Sequence, residues 1–376
     1  MILPEATLGV LGGGQLGRMF TAAARSMGYK VIVLDPDPLS PAAALANQHL
    51  QKQFTDIDAL NYLATQCAAV TTEFENVPVD ALRHLETQCL VRPNSTAVAI
   101  AQDRIKEKTF IRDCGLATAT FHPVGNAKEL TAALLSIRLP AILKTVKFGY
   151  DGKGQRTITT PEQAHAAFDE LGNIPCVLEE RVEIQRELSV LLARSSQGEV
   201  AVYPLAENVH VHGILDTSIV PARTSTDIME RATRMAQTLA VQLDYCGLLT
   251  VEFFLTRDNQ LLINEIAPRP HNSGHYTLDA CLTNQFEQQV RMLCGLSPGD
   301  TQLLSPVVMI NLLGDLWQQG TPAWGNVFQH PNAKLHLYGK HNARPGRKMG
   351  HCNILANKLE QALHIAKRIH INLSQG

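Results

Sequence analysis

Leu249-Thr250-Val251-Glu252-Phe253-Phe254-Leu255, then Thr256-Arg257-Asp258-Asn259-Gln260, then Leu261-Leu262-Ile263-Asn264-Glu265-Ile266: two apolar runs, each with one glutamate, flank a polar, turn-prone segment. The runs predict a β-hairpin. With Asp258-Asn259 as a two-residue turn, Glu252 falls directly opposite Glu265. Cross-strand partners on one face lie about 5 Å apart at Cβ, where like charges destabilise a sheet unless a cation lies between them. A divalent metal meets that need, and hard oxygen donors suit Mg²⁺, which binds through one or two carboxylates plus substrate phosphate and water. An exposed hairpin with two solvated acids is the competing reading. The next segment weighs against it: Ala267-Pro268-Arg269-Pro270-His271-Asn272-Ser273-Gly274-His275 gathers an arginine, two histidines and an asparagine into a loop with little apolar content. Loops of that kind commonly carry function.

Outward from the hairpin, 376 residues with 45% hydrophobic content exceed what a single core holds, so two or three domains are expected in a soluble globular protein. A formal net charge of -2 and a pI near 6.7 provide no broad field for nucleic acid or an anionic membrane, and neither is expected as a partner. Met1-Ile2-Leu3-Pro4-Glu5-Ala6-Thr7 lacks a basic leader, and no stretch approaches the ~20 apolar residues of a membrane span, which points to a cytoplasmic protein. The eight cysteines are scattered without any Cys-x-x-Cys, as buried reduced thiols are, and argue against structural zinc.

The first third alternates strand and helix: a strand over 7–11, a helix over about 15–27, a strand over 30–34 and a weaker repeat ending in Ala68-Ala69-Val70-Thr71-Thr72-Glu73. Such alternation predicts a parallel sheet with helices on both faces. A helix follows over about 95–112, rich in Arg104, Lys106 and Lys108, then a small α+β unit with strands Ala141-Ile142-Leu143-Lys144 and Cys176-Val177-Leu178-Glu179-Glu180. Mixed elements continue to about 296, including a helix over 226–243. A compact tail carries strands over 307–312 and 335–338, a basic loop and an amphipathic helix. The domains read as 1–103, a Rossmann-like parallel-sheet unit; 104–298, with a lid at about 140–205; and 299–376, a small C-terminal unit.

Three further motifs carry chemistry. Gly12-Gly13-Gly14-Gln15-Leu16-Gly17 follows a strand and opens a helix, with Asp35 at the end of the next strand, which matches the dinucleotide fingerprint. A glycine turn at a helix N-terminus attracts any anion, so the motif reports a phosphate or carboxylate site rather than NAD as such. Gly149-Tyr150-Asp151-Gly152-Lys153-Gly154-Gln155, with Lys144 ending an apolar strand just upstream, fits a flexible cover whose amides wrap a polyphosphate; a mobile surface turn is the alternative. Arg344-Pro345-Gly346-Arg347-Lys348, with Lys340, concentrates cations in a slightly acidic chain and suits a phosphomonoester; a solvated basic loop is the alternative.

A strand lysine, a glycine-rich lid, an acidic strand edge and paired carboxylates, in that order behind an α/β domain, resemble the ATP-grasp superfamily. With Gly13-Gly14-Gln15-Leu16-Gly17-Arg18-Met19, Glu73-Phe74-Glu75-Asn76-Val77-Pro78 and the run from Asn264 to His275, the motifs resemble more closely the N5-carboxyaminoimidazole ribonucleotide synthase family of purine biosynthesis. The resemblance spans nearly the whole chain and implies an α/β ATP-grasp architecture: a Rossmann-like N-terminal domain, an α+β ATP-grasp domain with its lid, and a small C-terminal domain. It implies that Arg104, Lys144, Gly149, Tyr150, Asp151, Gly152, Lys153, Gly154, Gln155, Glu179, Glu180, Arg181, Val182, Glu187, His210, Asn264 and Glu265 bind ATP, Glu187 on the ribose hydroxyls. Glu252 and Glu265 would hold Mg²⁺, with Mn²⁺ as the alternative. Gln15, Leu16, Glu73, Tyr150, Asp151, Lys153, His271 and Asn272 would touch 5-aminoimidazole ribonucleotide, and Lys340, Arg347 and Lys348 its phosphate. Arg269, His275 and Lys153 are the catalytic candidates, the first two at a bicarbonate site. Many ATP-grasp enzymes carry Glu-x-Asn where this chain has Glu265-Ile266-Ala267; Asn264 could substitute, but an ideal strand points it to the opposite face from Glu265. The implied partners are small molecules and a second copy of the chain in a homodimer. Another ATP-grasp carboxylase or ligase is the nearest alternative. An NAD-dependent dehydrogenase accounts for the first forty residues and nothing after them. A non-catalytic ATP-binding regulator has no use for the Glu252 and Glu265 pair.

Overall fold

Thr7–Leu11, Lys30–Leu34 and Ala69–Thr72 are buried almost throughout, as strands covered on both faces must be. They form the centre of a five-stranded parallel sheet whose order runs Gln48–Leu50, Lys30–Leu34, Thr7–Leu11, Ala69–Thr72, Leu90–Val91. A computed structural model of the chain describes residues 1–147, 149 and 153–374. The expected helix over about 95–112 is two helices, Ser95–Ala101 and Arg104–Asp113. Asp103 breaks it: its carboxylate caps the second helix by accepting from the amides of Ile105 and Lys106, both at 3.1 Å.

A second, four-stranded sheet runs Phe121–Val124, Cys176–Glu180, Ala141–Thr145, Gln155–Ile158, backed by the helices Ala127–Leu134 and Pro161–Glu170. This unit reaches from 121 to 180. The expected lid over about 140–205 therefore started too late and ended too late, because Ile184–Arg194 already belongs to the large sheet. Among the described residues that large sheet has nine strands, all pairs antiparallel; one of them, Val200–Val202, pairs only with Ile184–Arg194, off the main order. From the edge it runs Leu261–Ala267, Gly247–Thr256, Ile184–Arg194, Ala206–Val211, Ile214–Val220, Val307–Leu313, Lys348–Leu355, Ala333–Leu337. The tail strands thus continue the central sheet, and the end of the basic segment forms a further strand, Lys348–Leu355.

The hairpin forms, by a different route from the one expected. The Thr256 amide donates to the Gln260 carbonyl at 3.0 Å, closing a loop of three residues in which Asn259 is left-handed at φ +61°. Leu255 consequently pairs with Leu261 and Phe253 with Ile263, one residue away from the register of a two-residue turn. A β-bulge at Asn264 corrects the slip and leaves Glu252 opposite Glu265. It also settles the Asn264 question. Ile263 and Ile266 both point into the same core, so the two residues between them, Asn264 and Glu265, share the other face with Glu252.

The helix Gln285–Cys294 packs on Gln15–Ser26 and joins the parallel sheet to the large one. Its Gln289 side chain donates to Thr71 Oγ1 and accepts from the Leu248 amide, each at 2.8 Å.

Candidate active site

Two carboxylates held face to face make the electrostatic centre of the site. Burial and the charge of Glu265 push Glu252 up to about 7, while His210 and a hydrogen bond from Asn264 pull it down. On its other side Glu252 Oε1 lies 3.4 Å from His271 Nε2. Every carboxylate and amide donor here is a hard oxygen, and among the described residues no three His, Cys, Asp or Glu side chains converge as a metal cage. The pair therefore fits a cation that completes its shell with phosphate and water. Arg104 stands beside it, NH1 3.6 Å from Glu265 Oε2 and NH2 donating to the Gly149 carbonyl at 3.2 Å.

Next to this pair a cleft of about 1340 Å³ opens between the four-stranded sheet and the hairpin. Lys144, Glu179, Glu180, Arg181 and Val182 line one wall, and Phe254 and Leu262 the other. Glu179 is 2% exposed and takes both Lys144 Nζ at 2.8 Å and Lys108 Nζ at 3.3 Å. Burial would raise its carboxyl, but the two lysine charges outweigh burial and hold it below the usual range. One carboxylate between two ammonium groups leaves the triad net cationic, which suits an incoming phosphate chain. Glu187 accepts from His210 Nδ1 at 2.6 Å. Burial opposes the charge on that ring, yet the Glu187 hydrogen bond and the Glu252 charge raise its pKa.

The first glycine turn is already filled. Asp35 Oδ2 accepts from the Gly13 amide at 2.6 Å, and Glu73 accepts from the amides of Gly14 and Gly17. Gly12 holds φ +97°, and a Cβ there would stand 2.5 Å from Glu73 Cγ, so glycine is obligatory. The amides that would grip a dinucleotide pyrophosphate grip the protein's own carboxylates. Across from the turn, Lys340 Nζ donates to Gln15 Oε1 and to the Lys348 carbonyl at 2.7 Å. Burial and the charge of Arg347 lower Lys340 to about 8; Glu73 opposes, and Lys348 and Arg344 add to the fall. Leu16 is largely buried in the core beneath the turn, 9% exposed.

The loop after the hairpin connects these regions. Arg269 pairs with Glu75, whose carboxyl it holds below the usual range against the effect of burial. Asn272 is 7% exposed, and among the described residues neither atom of its side-chain amide has a partner. His275 is misplaced in the sequence reading: it is fully buried, bonded through Nδ1 to Gln285 Nε2 at 3.0 Å and stacked on His351 with ring centroids 4.7 Å apart. It supports the loop from behind and offers no face to a ligand. The tail strands bring His351 there, a contact that linear sequence does not announce. Tyr150, Asp151 and Gly152 lie outside the described residues; Lys153, Gly154 and Gln155 follow at the start of Gln155–Ile158.

Sequence reasoning missed two groups. Glu107, buried, accepts from the Ile266 amide at 2.6 Å, and Lys108 donates to the Asn264 carbonyl at 3.4 Å. With Arg104 they occupy positions i, i+3 and i+4 of one helix, a spacing that signalled a shared face. That face looks onto the bulged strand.

Comparison with known proteins gives a consistent result. Residues 109–286 match the ATP-grasp domain, 5–102 the ribonucleotide synthetase preATP-grasp domain and 307–365 the phosphoribosylaminoimidazole carboxylase C-terminal domain. The Bacillus subtilis (strain 168) protein named N5-carboxyaminoimidazole ribonucleotide synthase is 44% identical over 359 residues, 94% of this chain and 93% of that protein. A crystal structure of N5-carboxyaminoimidazole ribonucleotide synthetase in complex with ADP superimposes with a TM-score of 0.94 at 44% identity, covering 99% of this chain and 98% of the other. The Aspergillus clavatus N5-carboxyaminoimidazole synthase in complex with ADP and 5-aminoimidazole ribonucleotide gives 0.91 at 30% identity, covering 99% of each.

Proposed function

The chain belongs to the family of N5-carboxyaminoimidazole ribonucleotide synthases, ATP-grasp ligases of purine biosynthesis, and from that premise we infer which of its groups serves which substrate. The reaction is the ATP-dependent carboxylation of 5-aminoimidazole ribonucleotide to the N5-carboxyamino product. ATP enters the cleft beside Lys144 and Glu179, with its ribose toward Glu187 and its phosphates toward Arg104 and the loop at Gly149 and Lys153. The ribonucleotide lies between Gln15, Glu73 and the cluster of Lys340, Arg347 and Lys348, its phosphate on the cations. Bicarbonate takes the space by Arg269, His271 and the Asn272 amide, which has no partner among the described residues; His275 has no part in holding it.

In this reading a bicarbonate oxygen attacks the terminal phosphorus and the bond to ADP breaks. The resulting carboxyphosphate splits into CO₂ and phosphate, and the substrate amine adds to the CO₂ and passes its proton to the departing phosphate. Mg²⁺, with Mn²⁺ as a substitute, would be held by Glu252 and Glu265, with Asn264 in reach, and would neutralise charge on the β- and γ-phosphates. The protein's own task is placement and exclusion of water, since carboxyphosphate hydrolyses readily. The observation that carries the assignment is the position of the loop 268–275: His271 reaches Glu252 on the ATP side, Arg269 reaches Glu75 on the ribonucleotide side, and the Lys348 charge acts on both Glu75 and His271.

All eight cysteines are free, which accords with a reducing cytoplasm, and we place the protein there as a homodimer. Among the described residues no helix is long and apolar enough to cross a membrane.

The test is ADP release with bicarbonate and the ribonucleotide supplied together or singly, with ¹⁸O-bicarbonate as the carbon source. Full turnover should need both, and label should appear in inorganic phosphate. Label confined to the carbamate would remove carboxyphosphate from the scheme, and turnover with another amine in place of the ribonucleotide would reassign the basic cluster.

A further inference from the structure

Behind His271, on the side away from Glu252, four polar side chains are joined end to end inside the sheet. Ser218 Oγ donates to Asn208 Oδ1 at 2.8 Å, Asn208 Nδ2 donates to Ser189 Oγ at 3.0 Å, and Ser189 Oγ donates to Ser273 Oγ at 2.9 Å. Ser273 Oγ then lies 2.8 Å from His271 Nδ1. Ser189, Ser218 and Ser273 are fully buried and Asn208 is 4% exposed. The row crosses the strands Ile214–Val220, Ala206–Val211 and Ile184–Arg194 before it enters the loop. Apolar side chains of similar size would serve a sheet interior as well, since removing both partners of a buried hydrogen bond is nearly neutral. A connected polar row ending on one ring nitrogen calls for a reason.

Its direction supplies one. Ser189 accepts from Asn208 and so spends its hydroxyl hydrogen on Ser273. Ser273, accepting from Ser189, has its own hydrogen left for His271 Nδ1. Independently, the Ser273 backbone amide donates to the same nitrogen at 3.3 Å. An amide N–H only donates, so Nδ1 bears a lone pair and the single ring proton is on Nε2. That is the nitrogen facing Glu252 and the space assigned to bicarbonate.

We propose that Ser273 and Ser189 are positioning residues that fix His271 as its neutral Nε2–H tautomer, so that the ring donates a hydrogen bond into the carboxylation site and cannot act there as a base. The proposal rests on the placement of bicarbonate beside Arg269 and His271. A neutral donor suits a step in which negative charge moves from bicarbonate onto phosphate oxygens, because it stabilises the anion without drawing off a proton. No bond to His271 forms or breaks. The proton released by the substrate amine leaves with phosphate.

The test uses full-length enzyme with ¹⁵N-labelled histidine, the His271 signals being those lost in His271→Gln. The wild type should show a protonated Nε2 and a bare Nδ1. Ser273→Ala loses the 2.8 Å hydroxyl contact and leaves Nδ1 only the longer 3.3 Å amide, so it should show a minor fraction of the Nδ1–H tautomer beside the Nε2–H form and a kcat lower by up to roughly tenfold, the value of one hydrogen bond lost from a transition state, with the ATP KM unchanged. Ser273→Thr, which keeps the oxygen, should restore both, and Ser189→Ala, one link further back, should lower kcat by less. A wild-type signal with Nδ1 protonated overturns the proposal, as does a folded Ser273→Ala or Ser189→Ala enzyme with wild-type kcat and tautomer. The spectrum does not depend on turnover, whereas wild-type kcat in His271→Gln would discard the bicarbonate placement itself.

Discussion

Lys340 is an ammonium whose pKa has fallen to about 8, because burial and the cations around it outweigh Glu73. A lysine lowered in this way is charged below its pKa and neutral above it, and an anion binds the charged form. The KM for the ribonucleotide should therefore be flat up to about pH 8 and climb above it, with proton uptake on binding at pH 9. In Lys340→Arg, whose guanidinium stays charged throughout, the climb should vanish even if the absolute KM is higher. Steady-state kinetics from pH 7 to 10 check this, and a wild-type profile with no rise near pH 8 would remove Lys340 from the phosphate site. Residues of this sort were readable from sequence because clustered cations in a near-neutral chain are conspicuous. Glu107 and Lys108 were not, since a charge on a helix reads as solvated until the partner strand is known. His275 failed for the converse reason: its polar loop suggested exposure, and the enclosing His351 and Tyr338 come from strands that follow far along the chain.

At the scale of elements, the hairpin illustrates how a correct conclusion can follow from a wrong turn. The polar segment was read as a two-residue loop; it is a three-residue loop plus a bulge, and the two displacements cancel at Glu252 and Glu265. Periodicity locates strands well, but a single extra residue leaves no mark in it. The bulge lies on an edge strand, and its outer amide at Ile266 is held by Glu107. Glu107→Leu leaves that buried amide unpaired, at a cost of about 1–3 kcal/mol. It should loosen the spacing of the carboxylate pair and raise the Mg²⁺ concentration for half-maximal activity about tenfold, while Glu107→Gln, which still accepts the bond, should stay near wild type. Mn²⁺ titration by electron paramagnetic resonance gives a reading independent of turnover. Equal metal affinity in the Leu and Gln variants would show that the helix does not shape the site.

Across the whole molecule, the large sheet passes without a break from the edge hairpin through Ile214–Val220 and Val307–Leu313 to the tail strands. The tail matches a C-terminal domain over 307–365, as its basic composition suggested, and its strands nonetheless join the central sheet. Pairing between distant strands carries no local signature. A chain ending at residue 300 would expose Ile214–Val220 as a new edge and uncover Leu215, Val220 and Tyr276, which share a core with Val307 and Met309. Such a fragment should aggregate and lose its cooperative thermal transition. A monomeric fragment that melts cooperatively and binds ATP normally in sedimentation and calorimetry would contradict the continuity.

The filled glycine turn has a consequence for selectivity among metabolites. Glu73 and Asp35 are tethered carboxyl groups, present at the turn at a fixed effective concentration against which any free dinucleotide must compete. The turn keeps the geometry of a nucleotide socket whose amides are taken by internal carboxylates, so on the proposed assignment NAD, ADP and ATP should find no free amides there. On that assignment the same two carboxylates that shape the ribonucleotide site also keep the two phosphate-recognition centres distinct.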